Sequence, residues 1–484
     1  MIVKNQSVQT PAWAKAFAQP AQEFPPTPLP IISGIVPPGL RGCLYRNGPA
    51  RLSRNGQQVG HWFDGDGAIL AVHFNASGLG DQKPWAVYRY VQTAEYQIET
   101  EKGRFIFGGY GMNPPGNLWD KLTKPIKNVA NTSVLALPNQ ILALWEGGHP
   151  HSLDLQTLAT FGPENLEGLE NHQTYSAHPK RDITTGDIYN FGVTPGLNAS
   201  LNIYRSNSTG KIQQKGLIPI SGVPLIHDFV LAGPYLIFFI SPVRLQLLPT
   251  FTKVKTFSDG LTWQPELGTQ ILVCDRSSLQ LISRQETDPW FQWHFGNGYV
   301  DQDGTVVVNL IRYEDFDHTN QYLQQVATGQ THTIAKSQFW EIRLEPQSGK
   351  IINSQKLIDS FCEFPTVAQA EVGKPSRFTY LSVHKPGVDI SQEMFGAIAR
   401  FDHETGTLTT ADIGPNSYPM EPIYVPDAED PEKGWVLTVI FDSDRHRSEV
   451  WIFDAYHLDG EPVCRLALPE VVPMGFHGTW NSYQ

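Results

Sequence analysis

The chain has 484 residues with 40% hydrophobic content, and its net charge of −12 without a run of lysine and arginine argues against nucleic acid as the main partner. Its 42 glycines, 37 prolines and 11% aromatic residues favour many short strands with tight turns over long helices. The four cysteines are far apart, which excludes a CxxC motif and a dense disulfide framework and indicates a reducing compartment.

No stretch of the sequence has the pattern of a signal peptide or of a membrane-spanning helix. The first residues, Met1 to Gln6, lack an apolar core. The longest apolar run, 231–243, contains Gly233 and two prolines. It is shorter than the roughly 20 residues that span a bilayer. We therefore expect a cytoplasmic protein.

Residues 1–30 are predicted to form a lead-in, with one short helix followed by a proline-rich stretch. Trp13 and Phe17 in that helix are four residues apart and share one face. Two interpretations stay open. The helix either packs on the body of the protein or presents an apolar foot to a membrane or to a substrate entrance.

From residue 40 onward, strand–turn–strand patterns dominate. A hairpin over 133–146 is predicted to turn at Pro138-Asn139-Gln140. Further hairpins have β-branched or aromatic residues on both sides and Gly, Asp or Ser in the turn, and these turns are 275–278, 301–304, 346–349 and 403–406. Helical periodicity is confined to the lead-in and to 118–127.

The strand density allows a propeller, although no repeated sequence signature marks the individual blades. An all-β chain of this length must hide its sheet edges, and radial repetition is one way to do so. About four strands per 55 to 70 residues corresponds to roughly seven blades. No linker divides the chain, so we expect a single domain over residues 1–484.

Four of the 15 histidines lie in apolar or strand-end settings: His178, His227, His294 and His477. Their separations are 49 (227 − 178), 67 (294 − 227) and 183 (477 − 294). The first two are near one blade length and the third is near three. Equivalent positions on different blades face the central axis, so this spacing would allow four imidazoles to meet at one axial point. The alternative for each histidine is an ordinary place in the core.

Three glutamates lie in similarly apolar company: Glu146, Glu363 and Glu421. A buried carboxylate needs a partner. Metal-bound histidines commonly donate their other ring N–H to a carboxylate. The alternative for each glutamate is an arginine partner or a helix cap.

All of these residues except His294 belong to segments that resemble the carotenoid cleavage oxygenases, most closely the bacterial apocarotenoid oxygenases. Each segment is weakly diagnostic alone, but their order is specific. The segments are Leu44-Tyr45-Arg46-Asn47-Gly48-Pro49, Phe63-Asp64-Gly65-Asp66-Gly67, Asn128-Val129-Ala130-Asn131-Thr132, Leu144-Trp145-Glu146-Gly147-Gly148, Ser176-Ala177-His178-Pro179, Ile226-His227-Asp228-Phe229, Cys362-Glu363-Phe364-Pro365, Glu421-Pro422-Ile423-Tyr424-Val425-Pro426 and His477-Gly478-Thr479-Trp480.

The resemblance implies an all-β, seven-bladed propeller with a small helical cap over the active-site face. It implies that the four histidines bind one Fe²⁺ per chain, with O₂ as co-substrate. Glu146, Glu363 and Glu421 are expected behind His227, His294 and His477 respectively. The implied reaction is oxidative cleavage of a conjugated double bond in an apocarotenoid, giving retinal-like aldehydes.

The resemblance also implies an apolar substrate tunnel and a membrane contact. The tunnel residues expected by motif position are Phe63, Thr132, Trp145, Trp293 and Phe364. The segment after His294 departs from the family pattern, which puts the substrate preference in question. The expected membrane-facing mouth comprises Trp13, Phe17, Leu118, Trp119 and 245–251, with Lys121, Lys124, Lys127 and Lys253 placed near anionic headgroups.

Several rival functions are compatible with the same sequence. Within the fold, a stilbene-like phenylpropenoid is the alternative substrate, and a non-oxidative isomerase is a further alternative. Outside this chemistry, the chain could be a non-catalytic propeller scaffold. It could also be a calcium-dependent propeller hydrolase using Asp64-Gly65-Asp66-Gly67, although we predict a hairpin turn there.

Overall fold

Seven antiparallel sheets of four to six strands form the blades of a β-propeller in the residues that this computed structural model describes, 10–74, 83–196 and 199–483. Met1 to Gln6, on which the signal-peptide expectation rests, lie outside this part of the chain. The strands of the first half are β1 (Phe24–Pro28), β2 (Ile31–Gly34), β3 (Gly42–Arg51), β4 (Ser53–Arg54), β5 (Gln57–Gln58), β6 (Asp66–Phe74), β7 (Trp85–Tyr90), β8 (Ser133–Ala136), β9 (Ile141–Leu144), β10 (His151–Leu153), β11 (Thr160–Pro163), β12 (Lys180–Arg181), β13 (Ile188–Thr194), β14 (Ser200–Ser206), β15 (Ile212–Pro219), β16 (Val230–Ala232) and β17 (Tyr235–Ile240).

The second half continues the same pattern of short strands. These are β18 (Val243–Leu245), β19 (Leu261–Trp263), β20 (Thr269–Asp275), β21 (Leu281–Thr287), β22 (Phe295–Val300), β23 (Val306–Tyr313), β24 (Ser337–Leu344), β25 (Ile351–Lys356), β26 (Cys362–Thr366), β27 (Phe378–Val383), β28 (Ala397–Asp402), β29 (Thr407–Thr410), β30 (Ser417–Pro419), β31 (Ile423–Pro426), β32 (Gly434–Asp442), β33 (Arg447–Asp454), β34 (Cys464–Ala467) and β35 (Gly478–Ser482).

The helices are short and lie in the connections between strands. The α-helices are α1 (Ala94–Lys102), α2 (Leu118–Thr123), α3 (Leu247–Phe251), α4 (Phe257–Gly260) and α5 (Phe316–Val326), and 3-10 helices occur at Ala12–Phe17, Trp62–Asp64, Pro265–Leu267 and Gln369–Glu371. Within the described ranges, no helix is both long and apolar enough to traverse a bilayer.

Both ends of the chain close the ring. The C-terminal strand β35 pairs with β3 in the first sheet, and the N-terminal strand β2 pairs with β34 in the last sheet. The first and the last blade are therefore each completed by a strand from the opposite end of the sequence, which holds the ring closed. One strand of each blade lines the axis, and these inner strands are β8, β12, β16, β22, β26, β31 and β35.

The predicted hairpin turns are confirmed. Each lies between two antiparallel partners, and the pairs are β8/β9, β20/β21, β22/β23, β24/β25 and β28/β29. The predicted helix at 118–127 is shorter, because α2 ends at Thr123. The 11-residue helix α5 was not predicted. Its apolar residues Phe316, Leu323 and Val326 recur at helical spacing, and Asp315 caps it by accepting the His318 backbone N–H at 2.9 Å, so the sequence contained a helix signal there.

The prediction of a hairpin turn at Asp64-Gly65-Asp66-Gly67 is wrong. Trp62–Asp64 is a 3-10 helix, and β6 begins at Asp66. Both carboxylates are buried, so both require partners inside the protein. Asp64 accepts the Gly111 backbone N–H at 3.0 Å, and Asp66 pairs with Arg54 at 2.6 Å and with Lys127. These carboxylates are thus engaged by protein groups.

Three residues of the expected membrane-facing mouth are instead buried. Trp13 and Phe17 pack in the core, where Phe17 contacts Trp62 edge-to-face at 5.7 Å between ring centroids. The Trp13 indole N–H donates to the Gln392 carbonyl at 2.9 Å. Lys127 is buried between Asp66 and Glu99. Burial removes all three from any lipid surface, which corrects that part of the prediction.

Candidate metal centre

The propeller brings the four predicted histidines to one point. His294 and His477 stand immediately before the inner strands β22 and β35, while His178 and His227 stand two and three residues before β12 and β16. Because the inner strands surround the axis, residues at their beginnings converge. All four side chains are buried, and their candidate ligand atoms lie within 4.8 Å of one another.

Each of the three glutamates contacts the Nδ1 atom of one of these histidines. Glu363 Oε2 lies 2.5 Å from His294 Nδ1, and Glu421 Oε1 lies 2.8 Å from His477 Nδ1. Glu146 makes the corresponding contact with His227 Nδ1. These are the partners that the resemblance implied.

The glutamates determine which ring nitrogen is free. An imidazole that donates its Nδ1–H to a carboxylate leaves Nε2 with a bare lone pair. His227 Nε2 lies 2.9 Å from His178 Nε2 and 3.1 Å from His294 Nε2. The bare lone pairs of His227 and His294 repel each other at this distance, so the arrangement is suited to a cation placed between them.

The spacing of these nitrogens also fits a bound metal ion. Two imidazole nitrogens that bind one ion at about 2.1 Å and at right angles to each other lie about 3.0 Å apart. The two observed distances, 2.9 and 3.1 Å, agree with that value. Four neutral nitrogen ligands suit a divalent transition metal better than calcium, which prefers oxygen.

The electrostatics differ among the histidines: Glu363 outweighs burial and raises the pKa of His294, whereas burial lowers the pKa of His178 and of His477. Burial, reinforced by the neighbouring imidazoles, lowers the pKa of His178 well below its usual value, so this ring stays neutral. Burial tends to raise the pKa of Glu421, but His477 and Arg46 outweigh it, and the pKa is lowered. The carboxylate behind His477 is thus held in its charged form.

An apolar cavity of about 360 Å³ lies beside this cluster, and all five predicted tunnel residues line it. The Phe63 ring meets the Trp293 ring edge-to-face at 5.5 Å between centroids, and Trp293 meets the His227 ring at 4.9 Å. Phe364 stacks on His294 at 5.5 Å. Thr132 accepts the His477 backbone N–H through its carbonyl at 3.3 Å. The cavity therefore extends to the histidines along aromatic walls.

Helical segments cover part of this cavity. Phe257 of α4 and Thr319, Tyr322 and Leu323 of α5 line it, together with Tyr110 from the loop after α1. Their side chains thus form part of the cavity wall. This arrangement corresponds to the small helical cap that was expected.

Two residues that support the site were not singled out from the sequence. The Tyr313 hydroxyl donates to Glu363 Oε1 at 3.0 Å. The buried Arg46 guanidinium donates to Glu421 Oε2 at 3.3 Å and to the Phe476 carbonyl at 3.2 Å. Arg46 lies within the first segment of the family resemblance, so its position there was the available signal. Tyr313 had no such signal, since its role depends on the pairing of β23 with its neighbours.

Comparison with known proteins gives matches along nearly the whole chain. A family model described as retinal pigment epithelial membrane protein matches residues 17–482. An apocarotenoid-15,15'-oxygenase of Synechocystis sp. is 31% identical, over 97% of this chain and 96% of that enzyme. An isoeugenol monooxygenase of Pseudomonas nitroreducens is 28% identical over 93% of each chain. The crystal structure of a cobalt-substituted Synechocystis apocarotenoid oxygenase has a TM-score of 0.88 and 28% identity, covering 98% of both chains.

Proposed function

The chain belongs to the retinal pigment epithelial membrane protein family of carotenoid cleavage oxygenases, and from this membership we propose that it is an Fe²⁺-dependent dioxygenase of apocarotenoids. The observation that carries the proposal is the set of glutamate-oriented histidines beside an apolar, aromatic cavity. In this proposal the metal ligands are His178, His227, His294 and His477. The apocarotenoid-15,15'-oxygenase among its relatives supports this substrate class.

The residues of the site have distinct tasks in this reaction. A ferrous ion bound by the histidines supplies the chemistry that activates O₂. Glu146, Glu363 and Glu421 keep Nε2 of their histidines free for binding. Phe63, Trp145, Trp293 and Phe364 hold a rigid polyene along the cavity and exclude water. Cleavage of one C=C bond by one O₂ then gives two carbonyl groups, so atoms balance without a further reductant.

We further propose that the substrate enters from a membrane. Leu118, Trp119, Leu248 and Phe251 of α2 and α3 have 65 to 79% of their surface exposed. The Asn113 side chain links the two helical regions by donating to the Lys253 carbonyl at 3.0 Å. Ile126 and Leu245, which flank these helices in sequence, line the substrate cavity. We call the four exposed residues the apolar patch.

The proposed activity is tested by incubation with a panel of substrates. Purified, iron-loaded protein would receive apocarotenals, a stilbene and isoeugenol, under air and under argon, with products identified by mass spectrometry. We expect two carbonyl products from an apocarotenal, in air only, and about one iron per chain by metal analysis. His294→Ala is the control, since it should lose both iron and turnover.

Other outcomes would identify the rival functions. Faster turnover of isoeugenol or of the stilbene would favour the phenylpropenoid alternative, which the isoeugenol monooxygenase relative supports. A product of unchanged mass formed under argon would indicate an isomerase. A stoichiometric calcium ion with no iron and no O₂-dependent product would rule out the oxygenase proposal.

A further inference from the structure

A second space lies along the propeller axis, on the other side of the histidines from the substrate cavity. It has a volume of about 640 Å³ and is lined by residues from all seven inner strands. We call it the axial channel. His294 and His477 line both spaces, and His178 lines the axial channel. The proposed metal site therefore has two sides from which it can be reached.

The axial channel opens to solvent at its outer end. Ile183 and Tyr456 line it and have 48% and 40% of their surface exposed. Ala370, which also lines it, is exposed as well. A continuous space thus runs from solvent to the buried histidines, and it shares only His294, Phe364 and His477 with the lining of the substrate cavity.

The walls of the two spaces differ in chemistry. The substrate cavity has aromatic walls, including Phe63, Trp293 and Phe364. The axial channel also has aromatic walls, at Phe229, Phe295 and Trp480, but it carries charged and polar side chains as well: Lys180, Arg181, Asp228, Asn297, Glu371 and Glu421. A hydrated ion loses much of its solvation in an apolar passage, whereas polar walls and the water beside them can replace it.

Most of the charges in the axial channel are already engaged. Lys180 pairs with Asp228 at 2.8 Å, and Glu421 pairs with Arg46 and His477. The Arg181 guanidinium donates to the Ala136 carbonyl at 2.6 Å. Glu371, in the 3-10 helix Gln369–Glu371, has no ion-pair partner among the residues that the structure describes. Its carboxylate is therefore available to attract a cation near the outer end.

We propose that the axial channel is the route by which a divalent metal ion reaches the four histidines, with Glu371 attracting the ion on the way. The apolar cavity then serves the organic substrate alone. This inference rests on the proposed metal site, but it does not depend on which organic substrate the enzyme uses. Two separate routes would let the metal exchange while the substrate cavity is occupied.

The rate of metal uptake tests this inference. Metal-free protein would be mixed with Co²⁺, and binding would be followed by its visible absorption, which requires no organic substrate. A cobalt-substituted relative shows that this ion is a usable probe. Glu371→Lys reverses the attracting charge, and Ala370→Trp narrows the outer end at an exposed position. Each variant should slow Co²⁺ uptake by roughly threefold to tenfold. Glu371→Lys would do so because electrostatic steering is lost, and Ala370→Trp because the opening is narrower.

Matched variants separate the two routes. Leu225→Trp narrows the substrate cavity, and Glu266→Gln removes an exposed carboxylate on a different 3-10 helix. Both should keep the normal uptake rate. All variants should reach the same final Co²⁺ content, because none changes a histidine. If Leu225→Trp alone slows uptake, or if no variant does, the inference is wrong. If no substrate of the panel is cleaved while Glu371→Lys and Ala370→Trp still slow Co²⁺ uptake, only the proposed activity is contradicted.

Discussion

At the scale of single residues, the site depends on the side chains that contact the Nδ1 atoms of the histidines. Glu363 is buried, contacts His294 Nδ1 at 2.5 Å, and accepts the Tyr313 hydroxyl at 3.0 Å. It also accepts the Phe364 backbone N–H at 2.6 Å. Burial tends to raise its pKa, but His294 outweighs burial and the pKa is lowered. A carboxylate held this firmly fixes both the tautomer and the orientation of the ring.

Replacement of this carboxylate should therefore weaken metal binding. We expect Glu363→Gln to lower the affinity for Fe²⁺ or Co²⁺ by about tenfold to 100-fold, because the amide no longer stabilises the ligand by charge. The affinity would be measured by competition with a chelator. Glu266→Gln is the control, since that residue is exposed and remote from the histidines. Unchanged affinity in Glu363→Gln would show that His294 does not need this partner.

At the scale of elements, one arginine connects strands from both ends of the chain. Arg46 lies on β3, and its guanidinium donates to the Glu421 carbonyl before β31 at 2.9 Å and to the Phe476 carbonyl before β35 at 3.2 Å. Its side chain is 2% exposed, as expected for a residue at the junction of the first and last blades. The same contacts that close the ring also hold Glu421 behind His477.

Loss of Arg46 should destabilise the whole protein. Arg46→Met keeps an apolar side chain but leaves Glu421 buried without its cationic partner. We expect this to lower the free energy of unfolding by about 3 to 5 kcal/mol. Urea unfolding of the metal-free protein would measure the change. The matched control is Arg41→Met, because Arg41 forms an exposed pair with Glu429. Exposed pairs contribute about 1 kcal/mol or less. If Arg46→Met and Arg41→Met lower the free energy of unfolding equally, this account of blade closure is contradicted.

At the scale of the whole molecule, the two faces of the propeller differ in chemistry. The apolar patch on α2 and α3 lies beside the residues that line the substrate cavity. The axial channel on the other side of the histidines is lined by more charged side chains than that cavity. This division places the proposed route for an apolar polyene opposite the proposed route for a metal ion.

The apolar patch should determine binding to lipid vesicles. We expect Leu248→Glu combined with Phe251→Glu to reduce vesicle binding by more than about tenfold, because each large apolar side chain contributes about 1.5 to 3 kcal/mol when buried. Co-sedimentation with neutral and anionic vesicles would measure it. Phe161→Glu, at an exposed position of the outer strand β11, is the control. If Phe161→Glu has the same effect as the double variant, the apolar patch is not the contact surface.

Local chemistry explains which parts of the fold could be predicted. Hairpins such as the one turning at 301–304 depend on a few adjacent residues, and Gly304 adopts the positive φ of +83° that such turns favour. The four histidines and three glutamates were singled out by their apolar or strand-end surroundings, and all of them except His294 also lie in short segments that resemble a known family. Short-range patterns of this kind do not require knowledge of distant contacts.

The strand-rich propeller, the histidines at its axis and the glutamates beside them could be predicted from the sequence and its family resemblance. Which apolar and charged residues are buried depends on the tertiary structure. Trp13 contacts Gln392, 379 residues away in the chain, and Lys127 lies between Asp66 and Glu99. The axial channel also exists only when seven separate inner strands surround one axis. Burial and enclosed space depend on contacts between remote segments, and no single stretch of sequence carries them.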